Sequence, residues 1–158
     1  MVLKLFILCA LLAVFYQDLK TRSVYWFWFP LLAVSCGLLH YKNTMVELFL
    51  ATILINFSFI SMLLLVVYGY SKFKLKVTLK SVLGLGDILL FIALIFSFST
   101  ISFIIIFIFA LIFSLILHLI TKRASINKTV PLAGYMSLFF AITYTAHWLG
   151  YIHSIYTI

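Results

Sequence analysis

From Ile101 to Ile120 the chain reads ISFIIIFIFALIFSLILHLI, twenty residues without an Asp, Glu, Lys or Arg. About 20 apolar residues in a helix cross the ~30 Å hydrocarbon core of a bilayer. With no water there to receive backbone hydrogen bonds, such a segment must bond within itself, as a helix does. The remainder follows the same plan. With 66% hydrophobic residues, 9% charged residues and 17 phenylalanines in 158, the chain has too few polar groups to cover a water-facing surface. Six spans are expected, at about Met1 to Tyr16, Val24 to Leu39, Met45 to Tyr70, Val82 to Phe98, Ile101 to Ile120 and Val130 to Tyr151. The expected fold is therefore all-α: one polytopic membrane domain over residues 1–158, formed as a six-helix transmembrane bundle.

Lys and Arg fall in the short connections between these runs, so the net charge of +8 reads as a topology signal and not as a nucleic-acid surface. Lys20 and Arg22 follow span one, Lys72, Lys74, Lys76 and Lys80 follow span three, and Lys122, Arg123 and Lys128 follow span five. The other side holds only Lys4 and Lys42. The positive-inside rule puts the first group in the cytoplasm and both termini outside. The first run lacks a small-x-small cleavage pattern, so it is kept as a span and not read as a signal peptide. Cys9 and Cys36 are solitary within apolar runs and offer neither a CxxC site nor a loop disulfide.

The chain has three acids, Asp18, Glu47 and Asp87. This topology puts Asp18, at the end of span one, and Asp87, at the start of span four, on the same cytoplasmic face. An ionisable residue at the edge of a span is a functional candidate because burying it without a partner is costly. Taken singly, Asp87 could simply favour a helix N-terminus, and Asp18 could be a solvated loop residue beside Lys20 and Arg22. Two carboxyl groups in a partly dry site share a proton and titrate together. The ionised member can then take a proton from water while the other gives one to a peptide carbonyl, as in aspartic proteases.

Gly84 and Gly86 remove side chains just before Asp87, which allows the backbone to bend or approach a partner closely. A small-residue helix contact is the plainer reading of the same glycines. The rival chemistries are weak. His147 and His153 are six residues apart, off the spacing of a metal pair on one helix face, while His40 and His118 are isolated. No serine has a basic partner nearby on its face.

GLGD at Gly84 to Asp87 resembles the GxGD signature of intramembrane aspartyl proteases, and YQDLKTRSV from Tyr16 resembles the first-aspartate region of type IV prepilin peptidases. VPLAGYMSLFFA from Val130 is similar to the segment opening that family's last core helix. The three patches occur in the family's order across nearly the whole chain. Val24 and Tyr25 stand where the family usually has Ile-Pro, Leu89 where many members have Lys, and Tyr135 where a second Pro is common, while both aspartates are kept.

The resemblance implies a short form, without the cysteine-bearing extension of methylating members. It implies Asp18 and Asp87 as the catalytic pair in a bacterial inner membrane, facing the cytoplasm, with no metal and no cofactor. Its substrates would be prepilins or pseudopilins, cut after a short basic leader. Lys20, Arg22, Lys72, Lys74, Lys76, Pro131 and Gly134 are then candidate contacts to substrate or lipid. Anionic headgroups would offset the repulsion between basic loops and a basic leader.

In YSKFKLKVTLK, from Tyr70 to Lys80, Lys72, Lys74 and Lys76 alternate with Phe73, Leu75 and Val77, a period of two that predicts an interfacial strand. It would serve as a lipid anchor, or pair with an extended substrate near Asp87. Two other function classes are also expected to fit part of the pattern. One is a small proton-coupled transporter using Asp87 as its titrating carboxylate, with Asn56 as the main polar partner in a span. The other is an assembly subunit in which the acids are incidental.

Overall fold

The computed structural model describes residues 2–76, 83–121, 130–152 and 155–156. Among these residues there are six α-helices and no strand. They are α1 (Val2–Thr21), α2 (Trp28–Lys42), α3 (Val46–Tyr70), α4 (Leu85–Leu94), α5 (Thr100–Thr121) and α6 (Leu132–Trp148). α1 lies mainly along α6 and also against α2, while α2 packs on α4 and α5 on α6. α3 is peripheral, touching α5 and, more lightly, α2 and α4.

Three helical stretches are long and apolar enough to cross a membrane: Val2–Thr21, Val46–Lys74 and Thr100–Thr121. Their outward faces carry exposed apolar side chains, among them Leu54, Phe57 and Leu65 on α3 and Ile105, Phe109 and Leu115 on α5. α3 turns only Thr52, Asn56 and Ile60 inward, a stripe repeating every four residues. A helix so apolar with so narrow a buried stripe suits a lipid surround, where the outward face needs no polar cover.

Several boundaries differ from the sequence expectation for identifiable reasons. α1 continues past Tyr16 to Thr21, so Asp18 is in its last turns and not in a solvated loop. α2 begins at Trp28 and not at Val24, which puts Pro30 in the first turn, where its missing N–H breaks no helical bond. The predicted strand after Tyr70 is absent over its described part: Ser71–Leu75 extends α3 as a π-helical turn that closes at Lys76, whose φ of 55° is left-handed. The rest of that stretch, 77–82, lies outside the described residues, as does 122–129 with Lys122, Arg123 and Lys128.

The largest difference concerns α4. It ends at Leu94 and not at Phe98, so its 10 residues cover about 15 Å, half a hydrocarbon core. The chain then turns through residues 95–99, where Ile95, Ser97, Phe98 and Ser99 are all buried. Buried non-helical backbone must have its polar groups met by other parts of the protein. Asn56 Nδ2 of α3 donates to the Ile95 and Phe98 carbonyls at 3.1 and 3.2 Å. The Ser99 N–H donates to the Ile155 carbonyl at 3.1 Å, and the Tyr144 hydroxyl of α6 reaches the Ser97 carbonyl at 3.5 Å. A half-length α4 is stable because three distant segments bond to the turn that ends it.

Replacing Asn56 by Leu strands the Ile95 and Phe98 carbonyls in an apolar setting. The expected cost is about 1–3 kcal/mol, seen as a lowered thermal unfolding midpoint in detergent; an unchanged midpoint would contradict this role.

Candidate active site

The two aspartates expected on one face are brought together at the N-terminus of α6. A helix begins with backbone N–H groups that have no partner within the helix. In α6 two successive N–H groups are taken by carboxylates from elsewhere in the chain. Ala133 N–H donates to Asp87 Oδ1 at 2.8 Å, and Gly134 N–H donates to Asp18 Oδ2 at 2.6 Å. The two carboxylates thus meet on neighbouring donors in one turn of α6. Asp18 is buried and Asp87 half-buried.

Each carboxylate is delivered by a different local device. Asp18 is carried on α1, where Ile7, Leu11 and Val14 bury the same side of the helix and fix its rotation. Asp87 is on the first turn of α4 and folds back on its own N-cap. Its Oδ2 accepts from the Gly84 N–H at 3.0 Å while its N–H donates to the Gly84 carbonyl at 3.1 Å. This is a capping box whose N-cap has no side chain, so the reciprocal arm runs through the main chain. Both helix N-termini, α4 and α6, thus direct their positive ends at the Asp87 carboxylate.

α6 itself is held at its start. Pro131, buried, is its N-cap and lacks an N–H of its own. The Tyr135 hydroxyl, one turn on, shares a 2.9 Å hydrogen bond with Thr121 Oγ1 at the end of α5. On the other side of the site, Gln17 Oε1 accepts from the Tyr25 N–H at 3.1 Å and ties the α1–α2 connection to α1.

The glycines divide by what a side chain would meet. At Gly134 a Cβ would come within 3.1 Å of Asp18 Oδ2 and 3.2 Å of Asp18 Cβ, so any larger residue would push Asp18 away by a few tenths of an ångström. At Gly84 a Cβ would meet Asp87 Oδ2 at 3.2 Å. At Gly86 the nearest atom is Phe29 Cζ, at an ordinary 3.8 Å. Gly84 therefore shapes the site, whereas Gly86 is under no such steric demand.

Of the candidate contact residues, Gly134 and Pro131 are buried and belong to the frame that holds the carboxylates. The lysines stay outside. Lys20 Nζ reaches the Tyr16 hydroxyl at 3.3 Å, and Lys72 Nζ reaches that of Tyr68 at 3.4 Å. Lys74 lies 5.2 Å over the ring of Tyr70. Each tyrosine is exposed and four residues earlier on the same helical stretch, an arrangement of aromatic ring and cation that suits a membrane–water boundary. Arg22 differs from them: its φ is 55°, and its Nε and Nη1 are buried without a hydrogen-bond partner.

Ala133 and the α6 N-terminus were not identifiable as site groups from sequence. The one available signal was Pro131 at the head of an apolar run, since Pro marks helix starts and helix starts bind anions. Among the described residues no group of three or more His, Cys, Asp or Glu could hold a metal ion. Comparison with protein-family models, with curated proteins and with solved structures finds no match for this chain.

Gly134→Ala drives a methyl group into Asp18 and separates α1 from α6. We expect a loss of about 1–3 kcal/mol, whereas Gly86→Ala, in the first turn of α4, raises stability by up to about 1 kcal/mol through the unfolded chain. Thermal unfolding of the two variants in detergent checks the contrast; equal effects would contradict it.

Proposed function

We propose that this chain is a membrane aspartic endopeptidase of the type IV prepilin peptidase kind. The observation that carries the reading is the meeting of Asp18 and Asp87, from helices far apart in sequence, on two adjacent N–H groups of α6. In a chain with three acids, two at one point in a largely apolar interior is the arrangement a shared-proton dyad requires.

In this mechanism the ionised aspartate takes a proton from a water molecule, whose oxygen attacks the peptide carbonyl carbon. The protonated partner gives its proton to the carbonyl oxygen, forming a tetrahedral diol. Collapse of the diol breaks the C–N bond, and the departing amine takes up the proton. The N–H groups of Ala133, Gly134 and Gly84 fix the carboxylates' orientation throughout, so little reorganisation accompanies the change in charge. Leu85 and Leu89 are exposed beside the half-buried Asp87, which gives an apolar substrate helix an approach along α4.

The substrate class follows from the resemblance of the three sequence patches together with the charge distribution. We read the helices as a membrane-embedded bundle in a bacterial inner membrane, in which α4 reaches only part of the way across, with both termini outside and the aspartates facing the cytoplasm. The substrate is then a prepilin or pseudopilin, its basic leader cytoplasmic and its apolar helix in the bilayer. The lysine–tyrosine pairs on α1 and α3 fit the cytoplasmic boundary of such a bundle, with anionic lipid as their partner. The mechanism asks for no metal or cofactor.

The transporter reading finds less support. Its expected polar partner, Asn56, has its amide N–H groups committed to the turn after α4.

Co-expression with a candidate prepilin tests the proposal. Asp18→Asn and Asp87→Asn should each lower leader removal by roughly a hundredfold or more, read as the ratio of processed to unprocessed substrate on a gel. Normal processing by either variant would sink the dyad mechanism; loss of ion-coupled uptake with normal processing would favour the transporter.

A further inference from the structure

Arg22 is the charged group that the dyad leaves unexplained. It lies one helical turn beyond Asp18, and its N–H donates to the Asp18 carbonyl at 3.2 Å. There the chain leaves α1 through a left-handed conformation, φ 55°, which costs energy for a residue other than glycine. The side chain is not spread over the surface. Nε and Nη1 are both buried with no acceptor among the described residues.

A buried guanidinium donor without an acceptor is unfavourable, and more so when the group is permanently charged. Lys20, two residues earlier, does the opposite, resting on the exposed Tyr16. Arg22 therefore has the form of a group awaiting an acceptor that the described residues do not supply to Nε and Nη1, one helical turn beyond one of the two aspartates.

On the peptidase reading, on which this inference rests, the reaction itself creates such an acceptor. Water oxygen bonds to the carbonyl carbon, the C–N bond breaks, and the acyl fragment leaves as a carboxylic acid that ionises. The new anion forms beside two carboxyl groups that repel it. A guanidinium suits this task because it stays charged and presents several donors in a plane to a carboxylate.

We propose that Arg22 is a binding residue for the acyl-side fragment of the substrate, holding the carboxylate that cleavage generates. A lipid phosphate is disfavoured as its usual partner, because the cations on the outward tyrosines are the ones presented to a membrane surface.

The test uses the full chain in phosphatidylcholine vesicles and a basic hexapeptide ending in glycine, labelled at its N-terminus, with either a free C-terminal carboxylate or a carboxamide. Binding is read by fluorescence anisotropy, and cleavage of a prepilin-type peptide is measured in parallel. The wild type should bind the carboxylate roughly tenfold more tightly than the carboxamide, the scale of a hydrogen bond to a charged group. Arg22→Gln should abolish the preference, Arg22→Lys should keep part of it, and Lys20→Gln should keep all of it.

Equal binding of the two peptides by the wild type, or a preference that survives Arg22→Gln, overturns the proposal while leaving the peptidase reading intact. A preference that phosphatidylglycerol abolishes in the wild type assigns Arg22 to lipid and also overturns it. A preference dependent on Arg22 without any cleavage would contradict the peptidase reading and, with it, the assignment of the bound carboxylate to a cleaved substrate.

Discussion

The first backbone N–H groups of a helix have no partner inside it, and in an apolar medium they must find one elsewhere. In this chain the partners of two such groups on α6 are the carboxylates of Asp18 and Asp87. Much of the architecture around them serves that contact. α1 and α6 pack closely along their length, and glycine at position 134 lets Asp18 come within bonding distance of the α6 backbone. The same interaction resolves two problems at once: it satisfies the helix start, and it gives each of two carboxylates a hydrogen-bond donor in a largely apolar setting.

A second constraint acts at the far end of α4. A ten-residue helix can present Asp87 at one end only if its other end, inside the bundle, is closed by protein. Asn56, Tyr144 and the Ile155 carbonyl meet the groups of the 95–99 turn. The peripheral α3, which looks dispensable from its narrow buried stripe, thereby supports the element that carries a site residue.

The pairing of Asp18 with Asp87 was legible in the sequence because it needs only the count of spans and the sign of the loops. Those are properties of long segments and survive errors of several residues at helix ends. What the sequence did not reveal depends on contacts between remote residues. The site of α6 docking joins positions 116 apart, and no local pattern marks Ala133 or Gly134 as carboxylate donors. The early end of α4 was hidden because the run from Ile95 to Phe98 is nearly as apolar as the helix before it, and the groups that close the turn, on Asn56, Tyr144 and Ile155, are remote in sequence. The alternating lysines after Tyr70 misled, over the described part of that stretch, for a related reason: the spacing of two suits a strand, yet α3 carries its helical path past Lys72 and Lys74 before closing at Lys76. Gly86 looked equivalent to Gly84 in GLGD, and only the positions of Phe29 and the Asp87 carboxylate separate them.

Whether α6 holds the two carboxylates as one unit can be read at two backbone amides. The chain has six glycines, so glycine-selective 15N labelling gives a spectrum simple enough to assign. Gly134 reports on Asp18 and Gly84 on Asp87, through the N–H bonds each makes. In a pH titration of the protein in detergent micelles, Asp87→Asn should move the titration midpoint seen at Gly134, and Asp18→Asn that seen at Gly84. If each glycine titrates identically whether or not the other aspartate is present, the two carboxylates are not a unit and the account fails.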